Sequence, residues 1–411
     1  MDYFDIQLSL YEDKKQYRYK GEDVLFDVIN NQFVLKTYKE EVRQMICNYL
    51  LDEVKVPKER IFFDENLSLY HPDLKGAADI LVVQITPDYY REPVLIVKCL
   101  DTNREISSED EDELMDIDET LHANHLFIAN KDNLVFLGYD YDDTEAFYTY
   151  INHFELNYDD LIAEENYESS KKSFDCYSPP FDVNPCKETI QLFTDYGCIG
   201  EDTPKNLYPF IINVSGILLD KYTQFEGLKL GEFTIIKDGL RISETGNAAG
   251  GKWSGTHRYF LLEDNENNFE IISIMIAGGT KTNKNPKFGN RTASSTLVVT
   301  IDNLKQVHNS LQLNIDKYCH RRDNTYEVIH DGKLTVGKLG SAKNKEVIEF
   351  IKLHEPFLIK DDQIYLGSID CRYELTTERN DFQDLLYRLM KYAIIRDKYR
   401  EFHKGKVRSI G

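Results

Sequence analysis

The sequence predicts an α/β N-terminal domain over residues 1–150, a mixed sheet flanked by helices, and an α+β domain over residues 191–411 that ends in a long helix. Three observations carry this expectation. Val34, Tyr38, Val42, Ile46 and Leu50 recur every four residues between Asn31 and about Val54, the spacing of an amphipathic helix, and strand-like runs follow. Residues 155–190, including YESSKKSFDCYSPPFDVNP, carry Ser, Pro and Asp with little periodicity, so 151–190 reads as a linker. Beyond it, apolar runs alternate with Gly and Asn turns.

Taken in order, residues 1–30 read as a strand-rich lead-in with an exposed turn at Lys20-Gly21. After the helix come IFFDENLSLY (61–70), ADILVVQI (78–85) and PVLIVKCL (93–100), each with the length and β-branched content of a strand. The acidic stretch 105–120 reads as a loop leading into a helix that runs through His125. LFIANKDNLVFLGYD (126–140) reads as a hairpin turning at Lys131-Asp132-Asn133. In the second half, FTIIKDGLRIS, RYFLLED, FEIISIMIAGG, STLVVTID and IYLGSID are strand-like. A helix from Asp381 to about His403 places Leu385, Leu389 and Tyr392 or Ile395 on one face.

Composition narrows the function classes. A hydrophobic content of 41% and an aromatic content of 12% predict a folded chain. No apolar stretch approaches the roughly 20 residues that span a bilayer, and the acidic start lacks the features of a signal peptide, so a cytoplasmic protein without a membrane partner is expected. Cys47, Cys99, Cys176, Cys186, Cys198, Cys319 and Cys371 are scattered without zinc spacing and read as reduced, mostly buried thiols. The net charge of −22 is uneven: residues 101–170 hold 21 acidic residues against Arg104 and Lys131, which leaves the rest of the chain near neutral. An acidic total therefore argues against a general DNA-coating role, but not against a polyanion at a local basic site.

A metal-dependent phosphodiesterase needs carboxylates for Mg²⁺ and a lysine beside the attacking water. An Asp opening one strand and a Glu-x-Lys on its neighbour supply these, and a helix Glu often completes the set. The order here fits: Glu40 and Glu41 on the helix, Asp79 opening a strand, then the strand 93–100. The local text resembles the N-terminal nuclease domain of type I restriction-enzyme R subunits, of the PD-(D/E)xK superfamily. Glu40-Glu41-Val42-Arg43-Gln44 resembles its Glu-x-Val-Arg-Gln helix, and Val56-Pro57-Lys58-Glu59-Arg60-Ile61 its Pro-Lys-x-x-Ile turn. Ala78-Asp79-Ile80-Leu81-Val82 resembles its Asp-bearing strand, Pro93-Val94-Leu95-Ile96-Val97 the start of its Glu-Cys-Lys strand, and Leu126-Phe127-Ile128-Ala129-Asn130 the strand ending in Thr-Asn-Gly. The resemblance covers about residues 31–140 and implies a restriction-endonuclease-like fold.

The departures matter as much. Where the family reads Glu-Cys-Lys, this chain has Lys98-Cys99-Leu100; a shifted register leaves Ile96 at the glutamate position. The resemblance therefore implies a remnant site of Glu40, Glu41, Asp79 and Lys98 with impaired cleavage, in which Lys98 stands where a metal would sit and pairs with Asp79. No cofactor is expected; Mg²⁺ or Mn²⁺ at Asp79 is expected only if the site is active, with Asp101 or Glu92 as a migrated replacement.

In the second half, Gly246-Asn247-Ala248-Ala249-Gly250-Gly251-Lys252 has phosphate-loop spacing, but Trp253 replaces the Ser or Thr and a strand-like run follows, so a glycine loop is the simpler reading. Trp253, His257 and Arg258 could form a basic binding face with Lys281, Lys284, Lys287 and Arg291, against the plainer reading of solvated hairpin tips. His308-Asn309 and His330-Asp331 read as turn or strand-end pairs. The basic tail from Arg396 to Arg408 offers charge to phosphates, a solvated helix end being the plainer reading.

Three functions remain open. One is a catalytically impaired, restriction-endonuclease-related component of microbial defence that binds DNA, RNA or a partner. A second is an active metal-dependent nuclease with a rearranged site. The third is a protein-interaction scaffold without nucleic acid, in which the acidic residues 105–120 dock a basic protein.

Overall fold

In the computed structural model the described residues are 8–86, 88, 90–123, 125–141, 146–150, 156–162, 184–246, 252–281, 293–304, 307–335 and 340–408. The chain divides into two compact units, Met1–Ser173 and Phe174–Gly411.

The first unit opens with an antiparallel sheet of β1 (Tyr17–Tyr19), β2 (Glu22–Asp27) and β3 (Gln32–Leu35). The β1–β2 turn places Lys20 and Gly21 at φ 51° and 88°, both in the left-handed region that a tight hairpin requires. The helix expected from Asn31 is shorter: β3 occupies 32–35, and α1 runs Tyr38–Asp52. Its start is fixed by Thr37, whose side chain accepts from the Glu40 amide at 3.2 Å. The Asp27 carboxylate, accepting from the amides of Ile29 and Asn30, holds the turn that sets β3 apart.

A six-stranded mixed sheet follows in the order β4 (Ile61–Asn66), β5 (Ala77–Ile85), β6 (Arg91–Cys99), β7 (His125–Ala129), β8 (Leu134–Tyr141), β9 (Ala146–Tyr150). Only β6 and β7 pair in parallel, and α2 (Ser108–Leu121) makes their crossover. Alternation along β5 and β6 sends Ile80, Val82, Val97 and Cys99 into a core with α1, and Leu81, Val83, Ile96 and Leu100 into a core with α2.

The acidic run is therefore helix rather than a loop entering one. Ser107 and Asp110 close a capping box, three acids occupy the first turn where the helix dipole favours them, and Leu114 and Leu121 reach the core. That helix ends at Leu121, so His125 opens a strand. Within the segment read as linker, the short helix α3 (Tyr158–Leu161) docks on the sheet through Leu161 and a Tyr158 hydroxyl bond to the Val83 carbonyl at 3.1 Å.

The second unit begins with α4 (Lys187–Asp195) and the apolar α5 (Tyr208–Leu219). An antiparallel meander follows: β10 (Lys229–Leu230), β11 (Phe233–Gly246), β12 (Lys252–Glu263), β13 (Phe269–Ala277), β14 (Thr296–Asp302) and β15 (Val307–Asn314). After α6 (Ile315–Tyr318), a second sheet has the order β16 (Cys319–Arg322), β17 (Thr325–His330), β19 (Gln363–Asp370), β18 (Ile359–Lys360), with α7 (Asn344–His354) inserted. The closing helix α8 (Asn380–Arg408) buries Leu385, Leu389, Tyr392 and Ile395.

The meander is strongly curled. Arg241 of β11 and Asp302 of β14 form a bidentate ion pair at 2.6 and 2.7 Å although two strands lie between them. Strands about 4.8 Å apart would put β11 and β14 some three spacings from each other in a flat sheet, so the sheet folds over to join these side chains. Asn309 of β15 also donates to the Gly246 carbonyl of β11 at 3.5 Å.

Candidate functional site

The expected remnant site gathers where α1 crosses the start of β5. Register sets Asp64 of β4 opposite Asp79, between the pairs Phe63↔Ile80 and Glu65↔Ala78. Glu40, in the first turn of α1, is linked to Asp64 through the shared Arg43. Three carboxylates from a helix and two adjacent strands are the raw material of a divalent-cation site.

Each carboxylate instead holds a cation from the chain. Lys39 places its ammonium 2.6 Å from one Asp79 oxygen, and the other accepts from the Cys99 amide at 2.8 Å. Arg43 grips Asp64 with two bonds of 2.9 and 3.1 Å and lies 3.2 Å from Glu40, over the Phe63 ring. Glu41 is held by Lys131 at 2.6 Å and Lys36 at 3.1 Å. Burial raises the Glu40 carboxyl above its ordinary range, against the pull of Gln44 and Arg43. Burial also works against Glu41, yet Lys131 and Lys36 together hold it below. Among the described residues no group of three or more His, Cys, Asp or Glu is disposed to hold a metal.

Lys98 does not join this set. Its ammonium lies 3.0 Å from Asp110 and also bonds Glu113, both on α2. The expected Lys98–Asp79 pair is corrected: Lys98 and Leu100 project toward α2, whereas Asp79 is engaged from α1, on the side of Val97 and Cys99. Neither Val97 nor Cys99 can replace the missing glutamate and lysine. Burial pushes the Cys99 thiol up, with the Asp79 charge adding to it, so this cysteine stays a neutral packing group.

Asn130 has a structural role at the hairpin turn. Buried, it accepts from the amides of Asp132 and Asn133 and donates to the Arg104 carbonyl at 2.8 Å. The turn it shapes carries Lys131 to Glu41 and onto the Tyr38 ring.

The basic face expected in the second unit is not assembled by the residues that can be described. His257 is fully buried, its Nδ1 3.0 Å from the Gly255 carbonyl. Arg258 is buried on the opposite sheet face, bonded to Asp238 and the carbonyls of Asp220 and Thr223 and stacked on Phe225. Trp253 packs on Met275, Ala277 and Val298. Lys281 is exposed and paired with Asp202 at 2.6 Å, while Lys284, Lys287 and Arg291 lie outside the described residues. Of the expected phosphate-loop motif, Gly246 and Lys252 pair with each other at the ends of two antiparallel strands, not of a strand and a helix, and residues 247–251 lie outside the described residues. The tail is not uniformly available either, since Arg396 is buried against Tyr392 and the Ser310 and Lys333 carbonyls.

A mixed sheet with helices on both faces, a right-placed helix–strand–strand order and an Asp opening the second strand define an α/β nuclease-like domain. Its family is specific: residues 38–154 match the model of the type I restriction enzyme R protein N terminus, so this stretch is an R-protein N-terminal domain. Comparison with curated proteins and with solved structures finds no match. The match starts at α1 and ends beyond β9; it includes neither β1–β3 nor the second unit. No helix among the described residues is long and apolar enough to cross a membrane.

Proposed function

We propose that this protein is a restriction-related binding component whose R-protein N-terminal domain has lost metal-dependent cleavage and engages nucleic acid without cutting it. One observation carries the reading: the Lys39 ammonium occupies the Asp79 carboxylate that a nuclease of this family would offer to Mg²⁺. A covalently tethered cation neutralises that charge without an open coordination position, so it can neither polarise a phosphate nor activate water. The broken Glu-x-Lys pair on β6 supports the same conclusion from an independent strand.

The test pairs cleavage with binding. Labelled single- and double-stranded DNA and RNA are incubated with the full chain and Mg²⁺ or Mn²⁺, and affinity is followed by anisotropy across a salt series. The expected result is no cleavage with either metal, and binding that weakens as salt rises. Cleavage that Asp79→Ala abolishes would overturn the loss of activity. Absence of salt-dependent binding to every nucleic acid would overturn the binding role.

A further inference from the structure

The curled meander has two unlike faces. Phe260, Leu262, Ile272, Ile274, Leu297, Val299 and Leu311 fill an apolar core with α5 and α8. The other face is polar. Register aligns Thr245 with Trp253, Arg241 with His257, Tyr259 with Ser273, Ser273 with Thr300, and Thr300 with Asn309 across five consecutive strands. On this one face the side-chain atoms Thr245 Oγ1, Trp253 Nε1, His257 Nε2, Ser273 Oγ, Thr300 Oγ1 and Asn309 Oδ1 are buried without a hydrogen-bond partner among the described residues. His257, Ser273 and Thr300 show no exposure at all, and Thr245 shows 2%.

Such groups are costly to leave unmade, so a concentration of them on one surface indicates a missing partner. Their chemistry restricts it. Arg241 and Asp302 neutralise each other within 2.7 Å, and burial lowers the His257 imidazole to about 4, so the surface is uncharged near neutral pH. His257 Nδ1 faces a carbonyl and carries the proton, which leaves Nε2 as an acceptor. Trp253 Nε1 is a donor only, and the hydroxyls serve either way. The Trp253 ring, backed by Met275, Ala277 and Val298, adds a flat apolar wall.

We propose that this concave face binds an uncharged planar heterocycle of the nucleobase class, its edge meeting His257, Ser273 and Thr300 and its ring lying against Trp253. Anions and cations lack a countercharge there, and a sugar makes less use of a flat indole. Met275 makes room. Its methyl lies 3.2 Å from where a Cβ on Gly255 would sit, so this flexible thioether occupies the space above the glycine that the ring would take.

Trp253 is the only tryptophan in the chain, so its emission reports on this face alone. The full chain is titrated with adenosine, guanosine, cytidine, thymidine and uridine, and with glucose and inorganic phosphate as contrasts. At least one nucleoside should change Trp253 emission saturably below millimolar concentration, and His257→Ala and Ser273→Ala should each weaken it at least tenfold. Ser273→Ala should also raise the melting temperature of the ligand-free protein, because it removes an unsatisfied hydroxyl. No saturable response to any nucleoside would overturn the proposal, as would a response to glucose or phosphate alone. A lowered melting temperature for Ser273→Ala would overturn it too, by showing that the hydroxyl already has a partner in the free protein.

Discussion

Lys39 and Asp79 meet at 2.6 Å, one from the first turn of α1 and the other from the start of β5, so the ion pair ties helix to sheet. In a working nuclease the carboxylates repel one another, and neutralising one relieves strain. Here the opposite is expected. Asp79→Asn should destabilise the first unit by about 1 kcal/mol, the scale of one hydrogen-bonded pair with a partly exposed lysine. Urea unfolding of the full chain, followed by the transition of the first unit, measures this; a stabilised variant would show that the Lys39 pair does not offset the cost of burying the Asp79 charge.

The second unit depends on a costlier pair. Arg241 and Asp302 are each 5% exposed. Arg241→Ala would leave a buried carboxylate without its countercharge, a loss of roughly 3–5 kcal/mol. Arg241→Met with Asp302→Leu should recover most of it, since two apolar groups need no mutual neutralisation. Denaturation midpoints of the single and double variants give the comparison.

Asp110 ties three features together: it caps α2, pairs with Arg104 and contacts Lys98. Arg104 foremost holds its carboxyl well below the usual carboxylate range, with Ser107 and Lys98 adding to the effect. A depressed folded pKa contributes stability that is complete above the unfolded value near 3.9 and fades as pH falls below it. Asp110→Ala should therefore cost about 1 kcal/mol or more at neutral pH, and much less in strong acid. Amide exchange in residues 108–112 is the local readout.

His330 and His257 predict a milder acid dependence. Burial lowers His330 to about 3 and His257 to about 4, so both stay neutral in the fold. An unfolded histidine takes up a proton below about 6.5, so folding stability is complete above that pH and falls as pH drops toward the folded values. The second unit should lose on the order of 1–2 kcal/mol for each histidine between pH 7 and 5. His330→Gln should flatten the melting temperature against pH over that range, even though it loses the Tyr392 hydroxyl contact at 2.7 Å.

Much of the first unit was legible because its signals are local. The four-residue period marked α1, and the apolar runs marked β5, β6 and the β7–β8 hairpin. The helix α2 was obscured because Leu114 and Leu121 are embedded in acids that weaken the apolar period, although Ser107 and Asp110 already spelled a capping box. Lys39 carries no periodic signal at all; its role follows from where β5 begins. His257 and Arg258 were misread as a surface pair because adjacent basic residues suggest a charged tip, whereas consecutive strand residues point to opposite faces, here both buried. The curl of the meander leaves no local trace, since it depends on pairings such as Arg241 with Asp302, 61 residues apart.

That curl also sets a schedule for how the second unit assembles. Its interior cannot be completed by neighbouring hairpins alone, because the Asn309 contact to Gly246 spans 63 residues. Loop-closure entropy is spent before those contacts return anything, which slows folding. On a ribosome, β11 to β13 must wait with their polar face unprotected until β15 emerges, so the last strand of the meander, rather than its first hairpin, marks when this face can close.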